Sequence, residues 1–422
     1  MPKPNRTLCA LLGLAVLAPT LLHAQGSLTP PADTPAPSMH SLEQIYHRLA
    51  AVETAQSALA AEQHAATTLL AAANTDRLRW RTTVVARTEG TTIGEHCSLA
   101  FDADGQPAIA ALRGLHQLVL FRSTSTGWAA DIVDGHAYTG RSASLAFDRS
   151  GRACVAFLRA NDADLMFAMR YSGGWDIRTI DTEASSQDHT VALALDPAGN
   201  PAIAYQKFVD TNFQHKVAVV RSPAEGNWGT PAVYDPGRQL GLAVDLAFEA
   251  NRTPIAVFHN ASQHTLMWGR PGNTSAWSST GTIDTGVGPH LSVALAPNGQ
   301  PAVAYYDTTN KRLKFARRNG TTWTTMVVDE TADTDVGTRC SLAFGPDGQP
   351  AIAYYDATNC NVKFARANAQ TWNSWTISTP AATGDVGTYL DLAFGPDGLP
   401  AIAYYDATNK ALKLVRRVLS SE

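Results

Sequence analysis

Ser341–Asp356 reads SLAFGPDGQPAIAYYD, and fifty residues later Asp391–Asp406 reads DLAFGPDGLPAIAYYD. Near-identity at a fixed spacing marks a repeat architecture. Walking back from this pair, the small residue of the Leu-Ala-Phe element recurs at Ala100, Ala146, Ala194, Ala247, Ala294, Ala343 and Ala393. Seven copies at about fifty residues each suit four-stranded propeller blades and not helical repeats. Within a unit, an apolar strand, a Gly turn, a second apolar strand, a polar loop, a third strand such as Leu313–Arg317 and a Trp-led fourth strand such as Trp323–Val328 follow in order. The first turn is a tight hairpin in which Gly105, Gly151, Gly199, Gly299, Gly348 and Gly398 supply a positive φ; only the Asn251-Arg252 copy lacks Gly. Pro follows at Pro107, Pro201, Pro254, Pro301, Pro350 and Pro400, where a first strand residue can do without its N–H.

A Trp marks each outermost strand: Trp80, Trp128, Trp175, Trp228, Trp277, Trp323, and Trp372 or Trp375. The first precedes the first repeat, and the last repeat ends at Leu412–Leu419 with no Trp strand after it. Pairing the Trp80 strand onto the last blade completes the ring and removes two exposed sheet edges. The expected fold is therefore all-β, a seven-bladed β-propeller over residues 78–422 closed by its N-terminal strand and preceded by a long α-helix. The repeated Trp residues read as packing wedges, with sugar stacking as the alternative.

Before the ring, residues 1–24 place Lys3 and Arg6 ahead of an apolar run from Leu8 to Leu22 and a small Ala24, as a signal peptide does. Residues 25–40 form a Pro-rich linker. From 41 to 76 a helical segment is expected: Ser41 and Gln44 make a capping box, and Leu42, Ile45, Leu49, Val52, Leu59, Ala66 and Leu70 fall on a 3–4 spacing. Residues 41–73 would self-associate as a coiled-coil stalk or lie on the propeller. The mature chain carries no expected transmembrane segment, and secretion to the periplasm, the cell surface or the medium follows from the leader.

Across 422 residues the net charge is only −4, which gives no argument for nucleic acid or a polyanionic surface. Four cysteines remain after the leader, with no CxxC pair, so neither a disulfide-dependent fold nor a zinc site is expected. One disulfide, Cys340 to Cys360, is expected because both residues sit near one end of an antiparallel pair. His96 and His290 share a register but have no third ligand in view, so no metal or other cofactor is expected.

The repeats resemble bacterial secreted propellers with a G-x-P-x-I-x-Y-Y-D signature, here at Pro301–Asp307, Pro350–Asp356 and Pro400–Asp406. That group is similar in outline to sialidase-like and lectin-like propellers, so the resemblance implies glycan contact. The chain departs from true sialidases. Pro and not Trp follows the Asp-Gly turns, and no Arg-Ile-Pro element is present, so no catalytic arginine triad carries over.

Strand direction places the inter-blade loops and the loops between second and third strands on one face, and variation within a repeat marks candidate function. At the inter-blade register stand His96, Ser142, Thr190, Ala243, His290, Arg339 and Tyr389, with Arg141 beside Ser142. At the end of the second strand stand Arg113, Arg159, Lys207 and His259, then Asp307, Asp356 and Asp406. This face is the expected site for a carbohydrate or protein ligand, contacted through His96, Arg113, Arg141, Arg159, His290, Asp307, Arg339, Asp356, Tyr389 and Asp406. In the other reading the three Asp residues only bond their own Asp-Thr-Asn or Asp-Ala-Thr-Asn turns. The expected function is a secreted or envelope-associated binding module, with a glycan-active hydrolase or lyase assembled across blades as the alternative.

Overall fold

The computed structural model describes residues 78–419 except 137, 185–190, 209–214, 223–225, 237–239, 241–242, 250, 273–276, 332 and 369–370. The expected signal peptide, linker and helix all lie outside the described residues. Within them every regular element is a strand, and the strands form seven four-stranded antiparallel sheets. No helix among the described residues is long and apolar enough to cross a membrane. The first blade is Ile93–Phe101, Pro107–Arg113, Gln117–Thr124 and Gly127–Asp134, and the next five repeat that order. The seventh is Val386–Phe394, Pro400–Asp406, Ala411–Leu419 and, outermost, Leu78–Ala86. The N-terminal strand thus closes the ring, with Leu78 opposite Leu419, Trp80 opposite Arg417 and Thr83 opposite Leu414.

The burial pattern explains the composition of each strand. Second strands pack against neighbouring blades on both faces, so Pro350–Asp356 and Pro400–Asp406 are buried at every residue and read as unbroken apolar runs. Outermost strands such as Thr322–Asp329 are exposed or half-buried over most of their length and read as mixed. The hairpins follow the turn chemistry: Gly105 lies at φ 73° and Gly398 at φ 74°, and in the copy without Gly, Arg252 itself adopts φ 66°. An aspartate or asparagine before each turn caps it; Asp102 Oδ1, for instance, accepts from Asp104 N at 3.0 Å and Gln106 N at 2.8 Å.

Several of the Trp residues pack on aromatic rings, as wedges should. Trp80 meets Phe364 at 5.1 Å, Trp228 meets Phe167 at 5.0 Å, Trp277 meets Phe258 at 5.7 Å and Trp375 meets Phe315 at 5.3 Å. Further pins cross the blade interfaces. Tyr305 donates to Asp284 Oδ2 at 2.6 Å and Tyr354 to Asp329 Oδ2 at 2.7 Å, and Lys314 and Lys363 join the same two carboxylates. Each carboxylate belongs to the outermost strand of one blade, whereas its Tyr and Lys come from the next.

The expected Cys340–Cys360 disulfide is corrected, because both residues are free thiols. Cys340 lies within the first strand of its blade, opposite Tyr354, whereas Cys360 sits in the turn beyond the second strand with Sγ directed at Ala357 O. The second strand separates them.

Candidate functional site

Each first strand runs from the inter-blade loop inward along the channel, and in the first, second, fifth, sixth and seventh blades its register breaks near the mouth. Glu95 opposes Leu112 but Ser98 opposes Ala110, which leaves His96 and Cys97 in a bulge. Arg141 and Ser144 bracket the same break in the second blade, and similar shifts occur before Leu291, Cys340 and Leu390. Bulges re-aim side chains. His96 and Ser142 adopt φ 52°, a left-handed conformation that costs about 1 kcal/mol or more for a non-Gly residue. Gly94, at φ 115°, lets the strand pass the third strand of the last blade: a Cβ there would lie 2.9 Å from Leu412 Cα.

The bulged residues converge. His96, Ser142, His290, Arg339 and Tyr389 line one cavity of about 180 Å³, with Ser98, Asp245 and Asp391 deeper along the strands. The His96 and Tyr389 rings are 4.5 Å apart, and Arg339 Cζ lies 5.0 Å from the Tyr389 centroid. Burial, then the Arg339 and His259 charges, lowers His290 to about 3, so its imidazole is neutral at physiological pH. The mouth therefore offers an aromatic platform, a guanidinium and a neutral imidazole.

Below it lies a belt that sequence reading missed. The residue before each Leu-Ala-Phe element is Ser98, Ser144, Ala192, Asp245, Ser292, Ser341 or Asp391. First strands form the inner edge of each sheet, so their channel-side N–H groups have no ladder partner. The belt supplies one from the preceding blade. Leu145 N donates to Ser98 Oγ at 3.0 Å, Leu193 N to Ser144 Oγ at 3.0 Å and Val293 N to Asp245 Oδ2 at 2.7 Å. Leu342 N donates to Ser292 Oγ at 3.1 Å, Leu392 N to Ser341 Oγ at 3.0 Å and Leu99 N to Asp391 Oδ2 at 2.7 Å. Ala192 breaks the pattern, and the N–H it would have capped, Leu246 N, donates to Asp245 Oδ1 at 2.8 Å.

Burial, opposed by these hydrogen bonds and assisted by the Asp391 charge, raises Asp245 to about 6, and burial raises Asp391 as well. Burial also pushes the channel thiols up, Cys340 to about 12, so neither Cys97 nor Cys340 is a thiolate at neutral pH. A carboxyl whose folded pKa exceeds its unfolded 3.8 favours the folded state below that value and loses this contribution as pH rises toward about 6. Asp245 is partly open to the channel and so partly screened. Wild type should lose about 1–2 kcal/mol relative to Asp245→Asn between pH 4 and 6.5. Urea titrations at both pH values check this, and an equal pH dependence in the two proteins would count against it.

The other expected ligand residues are placed elsewhere. Arg113 Nε donates to Gln117 Oε1 at 2.8 Å along its own hairpin. Arg159 Nε donates to Asp134 Oδ2 of the preceding blade at 2.9 Å. Burial of the Asp134 carboxyl is outweighed by hydrogen bonds from His136 and then from Arg159, which hold it below its usual range. Asp307, Asp356 and Asp406 are 4%, 3% and 0% exposed and turn into their own loops. Asp307 accepts from Asn310 Nδ2 at 3.0 Å, Asp356 from Asn359 Nδ2 at 2.9 Å and Asp406 from Asn409 Nδ2 at 2.8 Å. Arg141 is not among the residues lining the cavity. The charges at these positions are paired or turned inward, and the three Asp residues bond their own turns as the other reading has it. Arg159→Ala should cost about 1–2 kcal/mol by removing one of the partners of buried Asp134, which keeps its bonds from His136, whereas Arg113→Ala should stay within about 0.5 kcal/mol. Chemical denaturation of both variants tests this, and equal stability of the two would contradict the assignment of Arg159 as a blade pin. Among the described residues no group of three or more His, Cys, Asp or Glu could hold a metal.

No family model and no curated protein matches the sequence. Several solved structures are similar in strand arrangement. A protein of unknown function from Dyadobacter fermentans is 10% identical over 81% of this chain and 99% of its own, with a TM-score of 0.48. A periplasmic gluconolactonase from Pseudomonas aeruginosa is 11% identical over 78% and 96%, with a TM-score of 0.49. A Hadza microbial sialidase is 13% identical over 75% and 74%, with a TM-score of 0.47.

Proposed function

We propose that this protein is a secreted or envelope-associated binding module that takes a carbohydrate or protein ligand at the mouth of its central channel. The observation that carries the reading is the convergence of His96, His290, Arg339 and Tyr389 on one cavity. A Tyr face flanked by imidazole and guanidinium suits a sugar ring or a polar peptide side chain. Binding is favoured over catalysis because the carboxylates beneath the mouth are committed to structure: Asp391 accepts from Leu99 N, Ser98, Ser341 and Leu392 N. In this reading the leader directs the chain out of the cytoplasm, and residues 41–73 hold several channel mouths together.

One observation favours the second reading, a glycan-active hydrolase or lyase: Asp245 titrates near 6 and shares the cavity with Asp391. A glycan array probed with the chain lacking residues 1–24, followed by product analysis of every retained glycan, separates the two. Retention without cleavage supports the binding module. Cleavage that is lost in Asp245→Asn would replace it with the hydrolase.

A further inference from the structure

One interface of the ring repeats another with a single carboxylate removed. In the second blade, Arg170 of the third strand stands opposite Trp175 of the outermost strand. Both reach the first blade: Arg170 Nε donates to Asp131 Oδ2 at 2.8 Å, and Trp175 Nε1 donates to the same oxygen at 3.2 Å. Asp131 lies opposite Leu120, three residues before Asp134. The fifth blade carries the same pair, Arg318 opposite Trp323. In the fourth blade, which precedes it, the matching position lies opposite Trp268 and three residues before Asp284, and it is Gly281. What the first blade gives to the second as a carboxylate, the fourth blade does not give to the fifth.

The donors are nevertheless kept. Arg318 is 8% exposed, and its Nε and Nη1, like Trp323 Nε1, are buried with no hydrogen-bond partner. Arginine Nε and tryptophan Nε1 are the two groups that meet on one oxygen in the second blade, so their counterparts in the fifth are aimed at one place. The charges acting on Arg318 are Arg270, which opposes its protonated form as burial does, and Glu249, which favours it. Glu249 is already held by Arg270, at 3.0 Å and 2.5 Å, and Arg318 Nη1 comes within 3.9 Å of it, beyond hydrogen-bond reach. Residues 250 and 273–276, next in sequence to this fourth-blade pair, bear no charged side chain. Two guanidiniums against one carboxylate leave a single positive charge. The Trp268 ring, whose centroid is 4.4 Å from Arg318 Cζ, offsets part of it but offers no lone pair to the N–H groups. Nor can the chain regain an aspartate here, because a Cβ on Gly281 would lie 2.8 Å from Trp268 Nε1. Buried donors of this kind call for a bound acceptor. We propose that the interface between the fourth and fifth blades binds a chloride-sized monovalent anion, which accepts from Arg318 Nε and Trp323 Nε1 where the second blade has the Asp131 oxygen. A single negative charge balances the interface, and a monatomic ion suits donors that meet at a point; sulfate brings twice that charge.

The test uses the chain lacking residues 1–24, crystallised with sodium bromide and measured at the bromine absorption edge. An anomalous peak within hydrogen-bond distance of Arg318 Nε and Trp323 Nε1 is expected; water alone at that place overturns the proposal, and bromide elsewhere on the surface does not support it. Calorimetric melting at a constant ionic strength of about 0.1 M gives the solution arm. Sodium chloride and sodium bromide should raise the melting temperature by about 2–5 °C over sodium methanesulfonate. Arg318→Met should erase that halide-specific difference. Arg170→Met, whose guanidinium already has Asp131, should leave it intact. Trp323→Phe keeps the ring and removes the N–H; it should raise the half-saturating chloride concentration at least threefold, and it covers the case in which Arg318→Met is poorly folded. Equal melting in chloride and methanesulfonate, or a halide effect that survives unchanged in folded Arg318→Met or Trp323→Phe, contradicts the site.

Discussion

Removing Leu78–Ala86 is expected to destabilise the whole ring and not merely its last blade. That strand pairs with Ala411–Leu419 from Leu78–Leu419 to Ala86–Leu412, so its loss exposes a long sheet edge. It also removes Trp80 from its edge-on contact with Phe364 of the sixth blade, at 5.1 Å, and Val85 from a core shared with Ile93, Leu99 and Leu412. Blades in a closed ring support one another on both sides, so damage at the seam reaches the first, sixth and seventh blades together. Trp80→Ala alone should cost about 3 kcal/mol, and the full deletion should abolish the single cooperative transition. Calorimetric melting of the two variants checks both expectations. An unchanged, single transition in the deletion would show that the seam does not hold the ring.

Asp391→Ala should have the next largest effect, about 3–5 kcal/mol. This one carboxyl accepts from Leu99 N at 2.7 Å, Leu392 N at 2.9 Å, Ser341 Oγ at 2.7 Å and Ser98 Oγ at 3.3 Å. Those donors belong to the first, sixth and seventh blades, so the residue joins the same seam from the channel side. Alanine would leave several donors facing the channel, where water can satisfy only some of them. Asp391→Ser should lose roughly half as much, since Ser serves this position in the first, second, fifth and sixth blades. Denaturant unfolding of the pair gives the comparison. Wild-type stability in Asp391→Ala would mean that the belt is ornamental.

The ring was legible in the sequence because repetition multiplies a weak signal. Seven Leu-Ala-Phe elements, six Asp-Gly-type turns and a misplaced Trp80 strand together allow one closure. At the mouth, His96, His290, Arg339 and Tyr389 stood out because they differ at a register where the scaffold repeats. What stayed hidden depended on side-chain direction. A lone Ser or Asp before each Leu looks like any polar strand residue, and nothing in its spacing says that it faces a channel or caps the next blade. The bulges that turn His96 and Ser142 inward leave no turn residue to read. For Asp307, Asp356 and Asp406 the sequence left two readings open, ligand contact or a bond to their own turn, and the Asn three residues on bends each loop over its own carboxylate as the second has it. Arg159 looked like half of a charged patch because its partner, Asp134, comes from another blade.

The channel mouth as the ligand site is tested most directly by Arg339→Ala combined with Tyr389→Ala. Both side chains line the cavity and neither takes part in the belt, while Tyr389 packs only at the margin of the seam core. The measurement is the affinity of wild type and the double variant for whichever ligand the array retains, with melting curves in parallel. We expect affinity to fall at least tenfold while the melting temperature moves by only a few degrees. Undiminished affinity in a folded double variant would place the ligand elsewhere on the ring.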